Sequence, residues 1–296
     1  MPPTRHIAVA ASAAYPDLGP DWPLLRAALA DRSIAASAAV WSDPAVDWDS
    51  YDLVVANGAW DNIHRPDEFL GWADEVARRT RLVNSPAILR WNLDKHYLAA
   101  LSAAGVPIVP TIWLAPGDPD MELTEGELPD GEFVVKPTIS GGGQETARYA
   151  ETDHAAARAH ISRLLARGRS VMVQPYQAAV DALGEVALIY LGGRFSHAIN
   201  KGPLLQLGAP AGAPLWPNEV ITAATPTADQ FGLADEAMAA AEHLHGATTY
   251  GRVDLVGRPD GTPAVLELEL LDPALFFEFS PPAAARFAEV LSGILG

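Results

Sequence analysis

The sequence predicts an α/β protein, strictly α+β in its later part, that begins with an open parallel sheet, and three features lead there. Short apolar strands alternate with helical stretches over the first 83 residues. A strand ending in Lys136 runs into the glycine-rich loop PTISGGGQET. Near the C-terminus, GRVDLVGRPDGTPAVLELELL reads as two strands joined by a turn, with acids spaced along both.

Residues 7–12, IAVAAS, form a buried-type strand. A loop with Tyr15, Pro16 and Asp17 follows, then a helix from about Asp21 to Asp31 with Pro23 in its first turn. A strand ends at Trp41, another spans Leu53 to Ala56, a helix runs from Pro66 to about Arg79, and Arg81 to Val83 reads as a further strand. Ligands of open parallel sheets gather beyond the carboxyl ends of the strands, so Ser12, Tyr15, Asn57, Trp60 and Asp61 are candidates for a substrate pocket, with Phe279 or Ser280 closing it from the other side. Trp60 serves equally well as packing. Neither GxGxxG after the first strand nor GxxxxGK[ST] anywhere occurs, so dinucleotide-fold and P-loop phosphate binding lose sequence support.

Boundaries near residues 85 and 175 divide the chain into regions 1–85, 86–175 and 176–296. The middle region opens with a helix carrying Asp94 and Lys95 to about Ala104, then a strand at Thr111 to Leu114 and an acidic surface loop over 115–131. Phe133 to Lys136 is a strand, and Ser140, Gly141, Gly142 and Gly143 let backbone N–H groups approach an anion, so lysine and loop together form a phosphate clamp; a hairpin turn is the plainer alternative. A helix from Asp153 to about Arg167 leads to VMVQPY, an apolar strand that Pro175 confines to an edge or a strand end. Backbone groups left unpaired there, with Tyr176 or Met172 beside them, can hold a planar base. Strands at Glu185 to Leu191 and Arg194 to Lys201 meet at Gly192 and Gly193, and His197 shares a face with Lys201. Residues 202–220 form a long loop, a lid or simply irregular chain, before a helix over Ala228 to His245.

In the acidic hairpin, period-2 geometry puts Arg252 and Asp254 on one face of the first strand and Glu267 and Glu269 on one face of the second. Carboxylates so close repel unless a cation sits among them, and oxygen ligands select magnesium or calcium rather than zinc. A solvated strand face is disfavoured, because Leu266, Leu268 and Leu270 demand a packed opposite side.

Composition narrows the chemistry further. Cysteine is absent, which removes disulfides, thiolate nucleophiles and cysteine-based zinc sites. The net charge of -17 opposes nucleic acid and anionic membranes, and with no apolar run of membrane-spanning or signal-peptide character the expected location is the cytoplasm. Of 20 basic residues only Lys95, Lys136 and Lys201 are lysines. A compact ammonium retained against such a bias suits phosphate binding as a point charge.

In order, Lys95, Lys136, the glycine loop, VMVQPY, Gly184 and Glu185, Lys201, R-x-D at 252–254 and E-x-E at 267–269 resemble the ATP-grasp superfamily of carboxylate-amine ligases, over roughly residues 85–295. The resemblance implies an ATP-grasp fold behind the N-terminal α/β domain, and an acyl phosphate made from ATP and attacked by an amine. It places Lys95, Lys136 and Ser140 to Gly143 on the phosphates, Gln174, Pro175, Tyr176 and Glu185 around the nucleotide, and two magnesium ions on Asp254, Glu267 and Glu269. Lys201 and Arg252 are then the catalytic cations. Many members carry asparagine at the position of Glu269, and an arginine usual just after Glu185 is missing here. The stretches DPAVDW, WNLDK, VMVQPY and LELEL are most similar to the ligases that cyclise O-ureido-serine in cycloserine biosynthesis. The implied substrate is a small amino-acid-like molecule; joining two molecules, or sensing ATP without turnover, are the competing readings.

Overall fold

The structure, a computed structural model, describes residues 5–117, 128–212 and 219–296. The N-terminal sheet comprises β1 (His6–Ala11), β2 (Ala35–Val40), β3 (Leu53–Val55) and β4 (Arg81–Val83) in the order β2-β1-β3-β4, every pair parallel. Helices α1 (Asp21–Ala30) and α2 (Pro66–Arg79) provide its crossovers. Ile7, Val9 and Ala11 enter one core while Ala8 and Ala10 enter another, the two-sided burial that a parallel sheet needs.

The single helix expected around Lys95 is two helices, α3 (Pro86–Leu93) and α4 (Tyr97–Ala103). Asp94 takes extended backbone angles because local bonds compete with the helix. Its carboxylate accepts the His96 N–H at 3.0 Å and the Thr138 hydroxyl at 3.3 Å, while the Lys95 N–H donates to the Thr138 carbonyl at 3.0 Å. The break sets Lys95 against the chain just past Lys136.

A second sheet, all antiparallel, has the order β5-β8-β6-β7, from β5 (Ile112–Leu114), β6 (Phe133–Pro137), β7 (Ala147–Tyr149) and β8 (Val171–Pro175). The helix α5 (His154–Ala166) covers it through Ala157, Ile161, Leu164 and Leu165. β8 has neighbours on both sides, so Pro175 marks a strand end rather than an edge. Ten residues of the expected acidic loop, 118–127, lie outside the described residues.

After the short helix α6 (Ala179–Leu183), a third sheet takes the order β11-β10-β9-β12-β13, all antiparallel: β9 (Glu185–Leu191), β10 (Arg194–Lys201), β11 (Ile221–Ala224), β12 (Tyr250–Gly257) and β13 (Pro263–Glu269). Helix α7 (Ala228–His245) precedes β12, and α8 (Pro282–Leu295), which the sequence reading left unassigned, ends the chain. Of the long loop, residues 213–218 lie outside the described residues, while Gly208 donates its N–H to the Arg148 carbonyl on β7.

Packing crosses the linear order. Ile88, Tyr97, Leu98 and Leu101 of α3 and α4 pack with α7 on one face of the third sheet. Part of the other face, with Ala187, Ile189, Leu191 and Tyr250, packs with Phe287 and Leu291 of α8 and with Ile7 and Val9 of β1. Among the described residues no helix is long and apolar enough to cross a membrane.

Candidate active site

The five-stranded sheet divides one of its faces between apolar and charged residues. Antiparallel register puts Glu185 opposite Lys201, Arg252 opposite Glu269 and Asp254 opposite Glu267. Cross-strand neighbours of opposite charge then pair: Lys201 Nζ lies 2.9 Å from Glu185 Oε2, and Arg252 Nη2 lies 2.5 Å from Glu269 Oε1. Gly184, at φ 71°, permits the approach of β9 to β10, since a Cβ there would stand 2.5 Å from the Lys201 carbonyl oxygen. Behind this face Val253, Leu255, Leu268 and Leu270 are buried in core, as the alternation requires.

Asp254 is the most enclosed of the acids. Its Oδ1 accepts from Arg252 Nε at 2.8 Å, and its Oδ2 from Lys201 Nζ at 2.7 Å and Arg252 Nη2 at 3.0 Å. Burial opposes its ionisation, but these cations hold its carboxyl far below the usual range. Burial likewise raises Glu267, and Lys95 and Lys136 outweigh it, so that acid too stays ionised. Glu269 goes the other way: burial, with Glu267 and Asp254 nearby, holds it above the ordinary carboxylate range despite Arg252. Oxygens of Asp254, Glu267 and Glu269 all lie within 4.8 Å of one another. An all-oxygen donor set with one acid reluctant to ionise fits a hard divalent cation, whose charge would draw all three into the carboxylate form.

Lys95 and Lys136 lie close to these acids. Lys95 Nζ lies 3.1 Å from Glu267 Oε1 and donates to the Ser140 carbonyl at 2.6 Å. Lys136 is buried, and among the described residues its ammonium has no hydrogen-bond or ion-pair partner; burial pulls its pKa down, only partly countered by Glu267. The glycine loop closes the β6–β7 hairpin, so the hairpin turn is the segment in which the sequence places a phosphate clamp. Gly142 and Gly143 have φ of 59° and 72°, open only to glycine without strain. Arg169 ties both ends of the loop, pairing with Glu145 at 2.5 Å and donating to the Ile139 carbonyl.

The expected base-binding gap after β8 is partly filled. At the break expected to leave backbone groups unpaired, the Tyr176 N–H donates to the Glu132 carbonyl at 2.7 Å, because the chain continues alongside β6 for one residue past Pro175. The Arg148 guanidinium stacks on the Tyr176 ring, 3.5 Å from its centre, and Met172 is fully buried. Gln174 donates to Thr111 Oγ1 at 3.0 Å and His197 Nε2 lies 2.9 Å from the Leu275 carbonyl, so both brace neighbouring chain.

The N-terminal candidates converge only in part. Asn57 Nδ2 donates to the Pro273 carbonyl at 3.1 Å and Trp60 Nε1 to the Asp272 carbonyl at 3.2 Å, which brings both to the chain just past β13. Tyr15 lies edge-on to Trp60, and Ser12 is buried with its hydroxyl accepting the Tyr15 N–H. Asp61 is spent on Trp41 Nε1 at 2.6 Å and Arg65 at 2.8 Å. Phe279 packs on Phe276, and Ser280 lies beside Arg286. Sequence reasoning missed Asp272 and also Glu219, which lies near Lys201 and Arg252 and whose pKa burial raises, since neither belongs to a periodic pattern. It also missed two buried asparagines: Asn92 accepts from the N–H groups of Leu270 and Leu271 and donates to the Leu268 carbonyl, and Asn84 donates to the carbonyls of Tyr250 and Leu270.

Residues 7–84 match the family described as the N-terminal domain of the D-cycloserine synthetase DcsG. Over 279 residues the chain is 38% identical to the cycloserine biosynthesis protein DcsG of Streptomyces lavendulae, covering 92% of this chain and 93% of that one. The chain belongs to the DcsG family. A crystal structure of D-cycloserine synthetase DcsG superimposes with a TM-score of 0.90 at 36% identity, over 98% of this chain and 100% of that one. The D-alanine–D-alanine ligase of Bacillus anthracis complexed with ATP shares the fold at a TM-score of 0.70 and 15% identity, over 99% of this chain and 96% of that one. The expected ATP-grasp fold is thereby established, and membership of the DcsG family makes the protein an ATP-dependent carbon–nitrogen ligase.

Proposed function

We propose that the protein activates the carboxyl group of a small amino-acid derivative as an acyl phosphate and passes it to a nitrogen of the same molecule, closing a ring. The observation that carries this reading is Lys136, a largely buried lysine with no hydrogen bond or ion pair among the described residues, near enough to Glu267 of the acid trio to feel its charge. A buried charge without a partner is costly to the free protein, and a phosphate oxygen would satisfy it. Lys95 and the glycine-loop N–H groups would hold the phosphates beside it, while Arg252 and Lys201 hold charge where the phosphoryl group moves. Asp254, Glu267 and Glu269 would hold magnesium, two ions in this proposal, which supplies charge neutralisation when bound. Gln174, Tyr176 and Glu185 are proposed around the base, and Asn57 and Trp60 on the substrate side.

Ring closure rather than joining is supported by the full-length similarity to DcsG, which includes the N-terminal domain that lies outside the nucleotide machinery. The test is ADP release with O-ureido-serine as the sole organic substrate beside Mg-ATP. A cyclic product with no second amine is expected. Turnover only when a second amine is added would show a joining enzyme, and nucleotide binding without ADP release under any substrate would show a sensor.

A further inference from the structure

Between β13 and the turn before α8, residues 272–277 run without regular strand or helix until Phe277, and side chains from all around hold them. Trp60, Asn57 and Arg252 donate to the carbonyls of Asp272, Pro273 and Ala274 at 3.2, 3.1 and 3.2 Å. From α1, the Asp21 carboxylate accepts the N–H groups of Leu275, Phe276 and Phe277 at 2.7, 3.0 and 2.7 Å. A segment pinned at every residue positions whatever it carries, and the one charged side chain in it is Asp272.

Asp272 is half-buried, and its carboxylate is oriented but incompletely used. Oδ2 accepts from Asn62 Nδ2 at 2.7 Å, an amide itself fixed by the Ala59 carbonyl at 2.8 Å. Oδ1 has no hydrogen-bond or ion-pair partner among the described residues, although a carboxylate accepts several bonds. Asp272 stands three residues beyond Glu269, a reach of at most about 10 Å of chain. It is close enough to Lys95 and Arg252 to feel both charges.

An α-amino acid carries its ammonium one carbon away from its carboxyl carbon. If the carboxyl is activated beside Arg252 and the acid trio, the ammonium must lie close by, in a site that already holds Lys95, Lys136, Lys201 and Arg252, and it needs a carboxylate oxygen that these cations do not occupy. Glu185 is engaged by Lys201, Asp254, Glu267 and Glu269 by lysine, arginine and the metal proposed above, and Asp61 by Trp41 and Arg65. We propose that Asp272 receives the α-ammonium of the substrate on its free carboxylate oxygen and thereby selects amino acids over the corresponding hydroxy acids. This rests on the ligase reading for where the carboxyl lies.

The test compares wild type and Asp272→Asn with O-ureido-serine and its α-hydroxy counterpart. Binding is measured by calorimetry with magnesium and a non-hydrolysable ATP analogue present, and turnover by ADP release. Loss of a charge-assisted hydrogen bond predicts that Asp272→Asn weakens the amino compound about 10- to 100-fold, leaving the hydroxy compound and the ATP analogue nearly unchanged. Equal losses for both compounds would mean that Asp272 only braces the segment, and an unchanged affinity for the amino compound would also overturn the inference. So would wild type that binds neither compound. Wild type that binds O-ureido-serine in an Asp272-dependent way without releasing ADP would uphold the inference while sinking the ligase reading. Should the asparagine variant not fold, Asp272→Ser makes the same comparison.

Discussion

The N-terminal parallel sheet and the C-terminal antiparallel sheet both set polar side chains where apolar strands end, but they use them in opposite ways. Beyond β1 and β3 the polar groups of Ser12, Asn57, Trp60 and Asp61 are taken up by neighbouring chain, mostly through one clear partner each. On the face shared by β9, β10, β12 and β13, six charged side chains crowd together, and among the described residues the nearby Lys136 pairs with none of them. Satisfied polar groups build a scaffold. Charges buried in excess of their partners identify the place where something else must bind.

The largest expected effect breaks the charged face at its centre. Arg252→Ala should lower kcat by roughly 10²- to 10³-fold, about 2.7 to 4 kcal/mol, through loss of a donor near the moving charge. Arg65→Ala, which frees Asp61 on the scaffold side, should leave kcat nearly intact. Steady-state ADP release compares the two. A normal kcat for Arg252→Ala with only a raised KM for ATP would erase the distinction.

Lys136 sharpens the contrast because stability and binding should move in opposite directions. Lys136→Met should weaken nucleotide binding about 10- to 100-fold, as expected for a lost charge-assisted contact, yet leave the ligand-free protein as stable or more so. The folded-state pKa of this lysine lies below its ordinary 10.5, so the unfolded chain binds more protons between the two values. Wild-type stability should therefore gain from Lys136 as pH rises through that window, and denaturant titrations of Lys136→Met should lack that gain. Weakened binding together with a loss of stability would make Lys136 structural.

Asn92→Ala tests the reverse case, a buried polar group with full partners. Losing its three bonds to the Leu268–Leu271 chain should destabilise the fold by about 1–3 kcal/mol, visible as a lower Tm. Its effect on turnover should follow from displacement of Glu269, and magnesium titration would reveal it as a raised metal requirement. An unchanged Tm would show that the hairpin holds its shape without the asparagine.

The smallest effect is confined to the second sheet. His160 is buried and its pKa is depressed to about 4 by burial and by Arg163, with Nε2 unpartnered among the described residues. Its contribution to stability is complete above 6.5 and falls away as pH drops through 4, since the unfolded chain takes up the proton first. Hydrogen exchange between these values should show α5 and β8 opening before the five-stranded sheet. His160→Gln should blunt that difference.

The same division explains what could be read from the sequence. Alternation and turn chemistry placed both strands of the acidic hairpin, the Gly192–Gly193 turn and the α7 helix, because each is a local pattern with a period. Lys95, Lys136 and Lys201 stood out because lysine is otherwise absent. Asp94 broke a helix that periodicity alone would continue, since its partner Thr138 lies 44 residues away. The segment 272–277 was equally opaque: residues from Asp21 to Arg252 satisfy it, and no sequence window contains both.

The convergence of all three lysines near the acid trio has a practical side. Each is less than a tenth exposed, so the side-chain amines of this protein would report on the proposed nucleotide site and on little else. An amine-directed reagent, which on most proteins labels the surface at random, becomes here an occupancy probe. Bound Mg-ATP should shield Lys95, Lys136 and Lys201 together, and mass spectrometry would read the protection residue by residue. Coupling the enzyme to a support through lysine would, by the same logic, silence it.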